Sequence, residues 1–173
     1  DRNFSVFRAT KLFELIGTTL GEEKLDSIFQ DKELLTLLTN SYSITAPNYV
    51  FKFIEELIKT DNHKSILDPW LTLSSPLLYI QVDILNGTCI NQSEFEAIKT
   101  LFTDKSKNFK LGDTLNQLSQ SNDKFDLILS FPPFGMRTQS INGTKSPFDF
   151  ATTLLLKCGE KIENTGKLIF LVS

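Results

Sequence analysis

The stretch Phe125-Asp126-Leu127-Ile128-Leu129-Ser130-Phe131-Pro132-Pro133-Phe134-Gly135 decides the reading of the fold. Its first six residues are rich in Leu and Ile and read as a buried strand. Pro132-Pro133 ends that strand, because proline has no N–H for a ladder and no central strand accommodates two in a row. Phe131 to Gly135 therefore lie just past the carboxyl edge of a sheet.

Working outward, Ser65-Ile66-Leu67-Asp68 is a short strand closed by Pro69, and Gly87-Thr88-Cys89-Ile90 is a second. Asn108 to Leu111 is a third, ending in Gly112-Asp113. Residues 76–85 are apolar, but so short a run does not separate a helix from a strand. Ser93 to Phe102 reads as a helix, with Ser93 as N-cap and Glu96 three residues on, the spacing of a capping box. Phe148 to Ile162 reads as a further helix and Lys167 to Val172 as a last strand.

Upstream, Val50, Phe51, Ile54, Leu57 and Ile58 form a helical stripe that Pro47 can open and the polar turn Lys59–Lys64 closes. The first forty residues are helical too. Phe7, Leu12, Phe13 and Ile16 share a face, with Gly17 and Gly21 at its end. Leu25, Ile28 and Phe29, then Leu34, Leu35, Leu37 and Leu38, continue the pattern. These helices have the look of cover for a core or a partner. The chain divides into an N-terminal helical segment, 1–43, and an α/β domain, 44–173.

Strands alternating with helices predict a mostly parallel sheet of about five strands with helices on both faces. Ligands of such sheets sit beyond the carboxyl ends of the strands. That singles out Asp68–Ser75, Asn91, Asp113 and Ser130–Gly135.

With 173 residues, the chain holds one domain's worth of core. Lys and Arg number 18 against 21 Asp and Glu, so the balance is slightly acidic. Unaided nucleic-acid binders usually carry a basic face, so this balance argues against a stand-alone one. Two cysteines, Cys89 and Cys158, make neither a disulfide framework nor a zinc site. His63 is the single histidine, and its context, Thr60-Asp61-Asn62-His63-Lys64, reads as a surface turn rather than a catalytic triad. No apolar run reaches the ~20 residues of a membrane span and no signal peptide is visible, which predicts a cytoplasmic protein. The Asn-Gly-Thr sequences at 86–88 and 142–144 fit a glycosylation pattern, but without a secretory signal they read as turns. A chain with no initiating Met that stops in an apolar run is expected to be part of something longer.

The ordered set of signals resembles the adenine-N6 DNA methylases, in particular the methylation subunits of type I restriction-modification systems. There a strand of the form FD-I-I-S leads into Asn-Pro-Pro-Phe/Tyr-Gly. Ala46-Pro47 stands where the family has Thr-Pro, and Ile66-Leu67-Asp68-Pro69 where it has the Leu-Asp-Pro that opens the cofactor loop. Thr88-Cys89-Ile90-Asn91 ends the second strand, and Leu111-Gly112-Asp113-Thr114-Leu115 the third. The resemblance implies a Rossmann-like class I methyltransferase fold, with the last two of its seven strands outside this chain. It implies a methyl-acceptor motif at Phe131, Pro132, Pro133 and Phe134. It also implies S-adenosylmethionine contacts from Asp68, Pro69, Thr72, Ser74, Asn91 and Asp113, if binding is retained. In active members an Asn oxygen and a Pro-Pro carbonyl hold the amino group of a flipped base, and the aromatic stacks on it.

The chain departs from that pattern at several ligand contacts. Phe131 occupies the Asn position, and a phenyl ring accepts no amino hydrogen bond. The loop Asp-Pro-x-x-Gly-x-Gly-Gly reads Asp68-Pro69-Trp70-Leu71-Thr72-Leu73-Ser74-Ser75 here, with every glycine replaced. Cys89 stands where an acid would hold the ribose. Trp70 and Phe131 read as fill for the ligand space, and Met136–Ser146 as a surface loop. The expectation is a degenerate methyltransferase domain used as a scaffold, with no cofactor, docking other subunits or domains of a DNA modification system. DNA contact is weak for this domain alone, and a homodimer through the terminal strand edge is a further option. The alternatives are an active S-adenosylmethionine-dependent amino-methyltransferase with an atypical FPPF motif, or a small-ligand module that reuses Asp68 and Asp113. No metal is expected.

Overall fold

The computed structural model describes residues 2–40, 48–133, 137–139 and 145–171. Three helices open the chain: α1 (Arg2–Leu20), α2 (Glu22–Gln30) and α3 (Lys32–Asn40). Gly17 lies inside α1, and the break falls at Gly21, whose φ of 89° only glycine adopts cheaply. Helix α4 (Asn48–Asp61) leads into strand β1 (Ser65–Asp68). Then come β2 (Ile84–Cys89), α5 (Gln92–Leu101), β3 (Lys107–Leu111), α6 (Thr114–Gln120) and β4 (Phe125–Ser130). A short pair, β5 (Arg137–Gln139) and β6 (Lys145–Asp149), precedes α7 (Phe150–Gly159) and β7 (Ile162–Phe170).

Five strands form one parallel sheet in the order β3-β2-β1-β4-β7. Successive residues point to opposite faces, as strand geometry requires. Ile66, Leu85, Leu127 and Leu129 enter the larger core, while Leu67 and Ile128 enter the other with Leu118, Phe150, Leu154 and Cys158. The larger core also takes Leu12, Ile16, Ile28, Leu34 and Leu38, so α1–α3 cover this sheet rather than standing apart from it.

A parallel crossover normally carries a helix onto the sheet. Between β1 and β2 the chain forms only a 3-10 turn, Pro76–Leu78. The apolar residues of this crossover are buried nonetheless: Leu71, Leu73, Leu77, Leu78, Tyr79, Ile80 and Val82.

Several expectations shift. The second strand starts at Ile84 rather than Gly87, and the last at Ile162 rather than Lys167. The helix expected to start at Ser93 is capped two residues earlier, because Asn91 accepts the Glu94 N–H at 3.0 Å and leaves Ser93 inside the first turn. Within the expected loop Met136–Ser146, the described residues of β5 and β6 pair antiparallel. Pro47 and Ala46 lie outside the described residues. Among these residues, no helix is long and apolar enough to cross a membrane.

Candidate functional site

The carboxyl ends of β1, β2, β3 and β4 bring Asp68, Cys89, Leu111 and Ser130 to one rim of the sheet. The chain leaves β1 through Asp68-Pro69 and turns inward. The Leu71 N–H donates to the Thr88 carbonyl at 2.9 Å, so the segment is stitched to the end of β2. Thr114 Oγ1, itself buried, donates to the Pro69 carbonyl at 2.6 Å, which stitches it to α6. The Thr72 N–H donates to Ser75 Oγ, and the Thr72 and Ser74 hydroxyls meet at 3.1 Å. Tyr79 donates its hydroxyl to the Leu73 carbonyl at 2.6 Å. Burial pushes that phenol far above its ordinary range.

Leu71 and Leu73 are 1% and 0% exposed, which decides what this segment is: part of the core, not an open loop. Gly87 makes room for it. A Cβ there would lie 2.7 Å from a Leu71 methyl. Sequence reading missed Gly87, Thr114 and Tyr79 as the residues that hold the segment, because none carries a motif.

The other expected ligand residues are engaged by the backbone. Asn91 caps α5, and Asp113 caps α6 by accepting from the Leu115 and Asn116 N–H groups. Both are exposed. Cys89 is buried, and its thiol points at the Asn91 carbonyl, 3.4 Å away. Burial pushes its pKa up to about 11, so it is a packed thiol rather than a nucleophile.

Pro132 is buried, and Phe131 and Pro133 are half-buried, with Phe131 against the larger core. Trp70 stacks edge-on to Phe150 with ring centroids 4.9 Å apart. Phe134 lies outside the described residues.

Two polar atoms at this rim are not satisfied. Asp68 is 0% exposed; one oxygen accepts the Trp70 N–H at 3.0 Å, while Oδ2 has no partner. Ser130 is equally buried and its Oγ is unpartnered. Desolvation lifts the Asp68 carboxyl to about 7, which the Ser75 hydroxyl and the Trp70 N–H only partly oppose.

The fold is that of the class I methyltransferases. The sheet superposes on a candidate caffeoyl-CoA O-methyltransferase from Staphylococcus aureus with a TM-score of 0.59, 16% identity, and 95% of this chain and 72% of that one covered. A candidate class I S-adenosylmethionine-dependent methyltransferase from Listeria monocytogenes gives 0.55 at 16% identity, covering 95% and 73%. A chain of a type I restriction-modification system gives 0.50 at 16% identity, covering 69% of this chain and 30% of that one. No family model matches the sequence, and no curated protein matches it. These identities establish the fold alone.

One expectation from outside the rim also changes. His63, read as a surface residue, is 8% exposed and sits between Asp61 and Asp126 at the amino end of β1. It is remote from the rim by construction, since strands run from one to the other. An open cleft of about 710 Å³ lies along β3 and α6, beside Phe109, Lys110 and Gln117, and is lined by none of the expected ligand residues. Among the described residues no group of three His, Cys, Asp or Glu side chains is arranged for a metal ion.

Proposed function

We propose that this chain is a methyltransferase-fold domain that no longer transfers methyl groups and serves as a scaffold in a DNA modification assembly. The observation that carries the reading is the burial of the segment after Asp68, with Leu71 and Leu73 in the core and its backbone bonded to Thr88 and Thr114. A cofactor would need that space and those hydrogen-bonding groups. The residues do not fit it: Asn91 and Asp113 cap helices, Thr72 and Ser74 bond each other, and Cys89 supplies no carboxylate.

The docking surface we assign is the outer edge of β7, the last strand of the sheet among the described residues. The sheet's two edges differ in kind. Edge strand β3 exposes Asn108 and Lys110, a polar and a charged side chain that discourage pairing. Along β7, Leu168, Ile169 and Phe170 are half-buried, with Leu171 exposed beyond them and Leu155 and Leu156 exposed on the adjoining α7. Its partner is another subunit or domain of the assembly, or a second copy. The likeness to a restriction-modification chain supports the first. DNA of the adenine-methylase class is what the whole assembly would act on.

A second reading has one observation in its favour. Asp68 Oδ2 and Ser130 Oγ are unpartnered at the rim where a ligand of this fold would lie. On that reading the chain is an S-adenosylmethionine-dependent amino-methyltransferase with an altered acceptor motif. Calorimetric titration of S-adenosylmethionine and S-adenosylhomocysteine decides between the two. Silence at millimolar ligand is the expected result; micromolar binding would reject the scaffold.

A further inference from the structure

The segment over the rim is core without a ladder. Pro69 to Ser75 belong to neither strand nor helix. Isolated bonds hold them instead: the Leu71 N–H to the Thr88 carbonyl, Thr114 Oγ1 to the Pro69 carbonyl and the Tyr79 hydroxyl to the Leu73 carbonyl. Trp70 and Thr72 are half-buried, whereas Leu71, Leu73, Ser74 and Ser75 are buried. The segment thus has solvent on one side and the core on the other.

Asp68 lies on its inner side. The carboxyl is 0% exposed, and its donors, the Trp70 N–H and the Ser75 hydroxyl, both belong to the segment. Oδ2 has no partner, and no cation of the described residues stands against it. The titratable groups that reach it from packed elements are Cys89 of β2 and Cys158 of α7. Burial pushes these thiols up to about 11 and about 12, so both are uncharged near neutral pH. Thr114 of α6 and Ser130 of β4 bring hydroxyls, not charges. Asp113 is exposed and turned to the N–H groups of α6. A carboxylate so placed lacks both water and a counter-ion. Water reaches it once the cover that holds its two donors moves.

We propose that Asp68 is a proton-operated latch on the Pro69–Ser75 segment, which closes dry over the protonated acid and lifts from the rim in a minor state that ionisation favours. Ionisation strengthens the bonds from Trp70 and Ser75, but the loss of water outweighs them, since the carboxyl is raised to about 7. In the open state it titrates near its ordinary 3.8. Opening therefore releases a proton between those two values, and rising pH favours it. The closed state stays the major one, and the latch controls access to the buried rim. It does not depend on the scaffold reading, which cofactor titration decides separately.

The test is native-state amide exchange on the full chain, from about pH 4 to about pH 8 and in low urea, with rates corrected for the intrinsic pH dependence of exchange. The Trp70 and Leu71 amides should exchange through an opening that low urea leaves unchanged. The Leu127 and Ile128 amides of β4 should follow global unfolding and its urea dependence. The Leu71 opening equilibrium should rise about tenfold per pH unit from about pH 4 to about pH 7, the slope of one released proton, and level off above. Asp68→Asn should abolish that slope. Thr114→Val removes one hold on the segment and leaves Asp68 in place. It should raise Leu71 exchange about fivefold at every pH, the scale of one hydrogen bond, with the slope intact. Three results would each overturn the latch: a Leu71 amide that exchanges only by global unfolding, a local opening without a pH slope, or a slope that survives Asp68→Asn.

Discussion

Asp68 has no exposed surface, and its Oδ2 has no partner, so its charge is costly in the folded chain. Its folded pKa of about 7 lies above the ordinary 3.8, so the folded state holds a proton that the unfolded state releases. The stabilising effect of that proton is complete below about pH 4 and is lost as pH rises towards 7. The loss reaches about 4 kcal/mol at ~1.4 kcal/mol per pKa unit. Urea unfolding between those pH values should show the slope. Asp68→Asn should remove it and should be more stable than the parent at pH 8, because the amide oxygen keeps the Trp70 N–H bond. Asp113 makes a different residue-scale prediction. It is exposed and caps α6, so Asp113→Ala should cost about 1 kcal/mol, measured by the same unfolding, as loss of an N-cap does. A residue whose acid served only a ligand would cost nothing on unfolding.

At the scale of elements, the segment from Pro69 to Asp83 sets this chain apart. An exposed loop tolerates truncation, but a core residue does not. Leu71→Ala should therefore cost about 2–5 kcal/mol in unfolding free energy. Gly87→Ala should cost about 1–3 kcal/mol through the clash with the same leucine. Near-zero values for both would mean that the segment opens readily. Much of the element pattern was legible beforehand. Phe125–Ser130 and Ser65–Asp68 were read with the bounds they have, because prolines or polar residues punctuate them sharply. The cap of α5 was misplaced because Asn91 and Ser93 are both good caps, and only the geometry of the strand exit chooses. His63 was misread because its neighbours are polar; its place against Asp126 of β4, far away in sequence, is what buries it.

For the molecule as a whole, the two sheet edges predict how it associates. Leu156 and Leu171 are 57% and 39% exposed, so lysine at both should leave the fold intact. Light scattering at tens of micromolar should find the parent chain dimeric, or captured by its partner subunit, and the double variant monomeric. A parent chain that stays monomeric and binds no partner would remove β7 as the docking edge.

Sequence alone determined the α/β class, the parallel sheet, the position of Pro132-Pro133 past β4 and a segment after Asp68 that holds no glycine as far as Ser75. These are local: strand composition, proline chemistry and glycine's lack of a Cβ act within a few residues. Tertiary structure decided that the Pro69–Ser75 segment is core, that α1–α3 cover the sheet, and that Asp68, Ser130 and His63 are buried. Those outcomes depend on which distant surfaces meet. Apolar area leaves water wherever the chain can close over it, and here residues of α1–α3 and of a crossover without its own α-helix join one core with β1, β2 and β4.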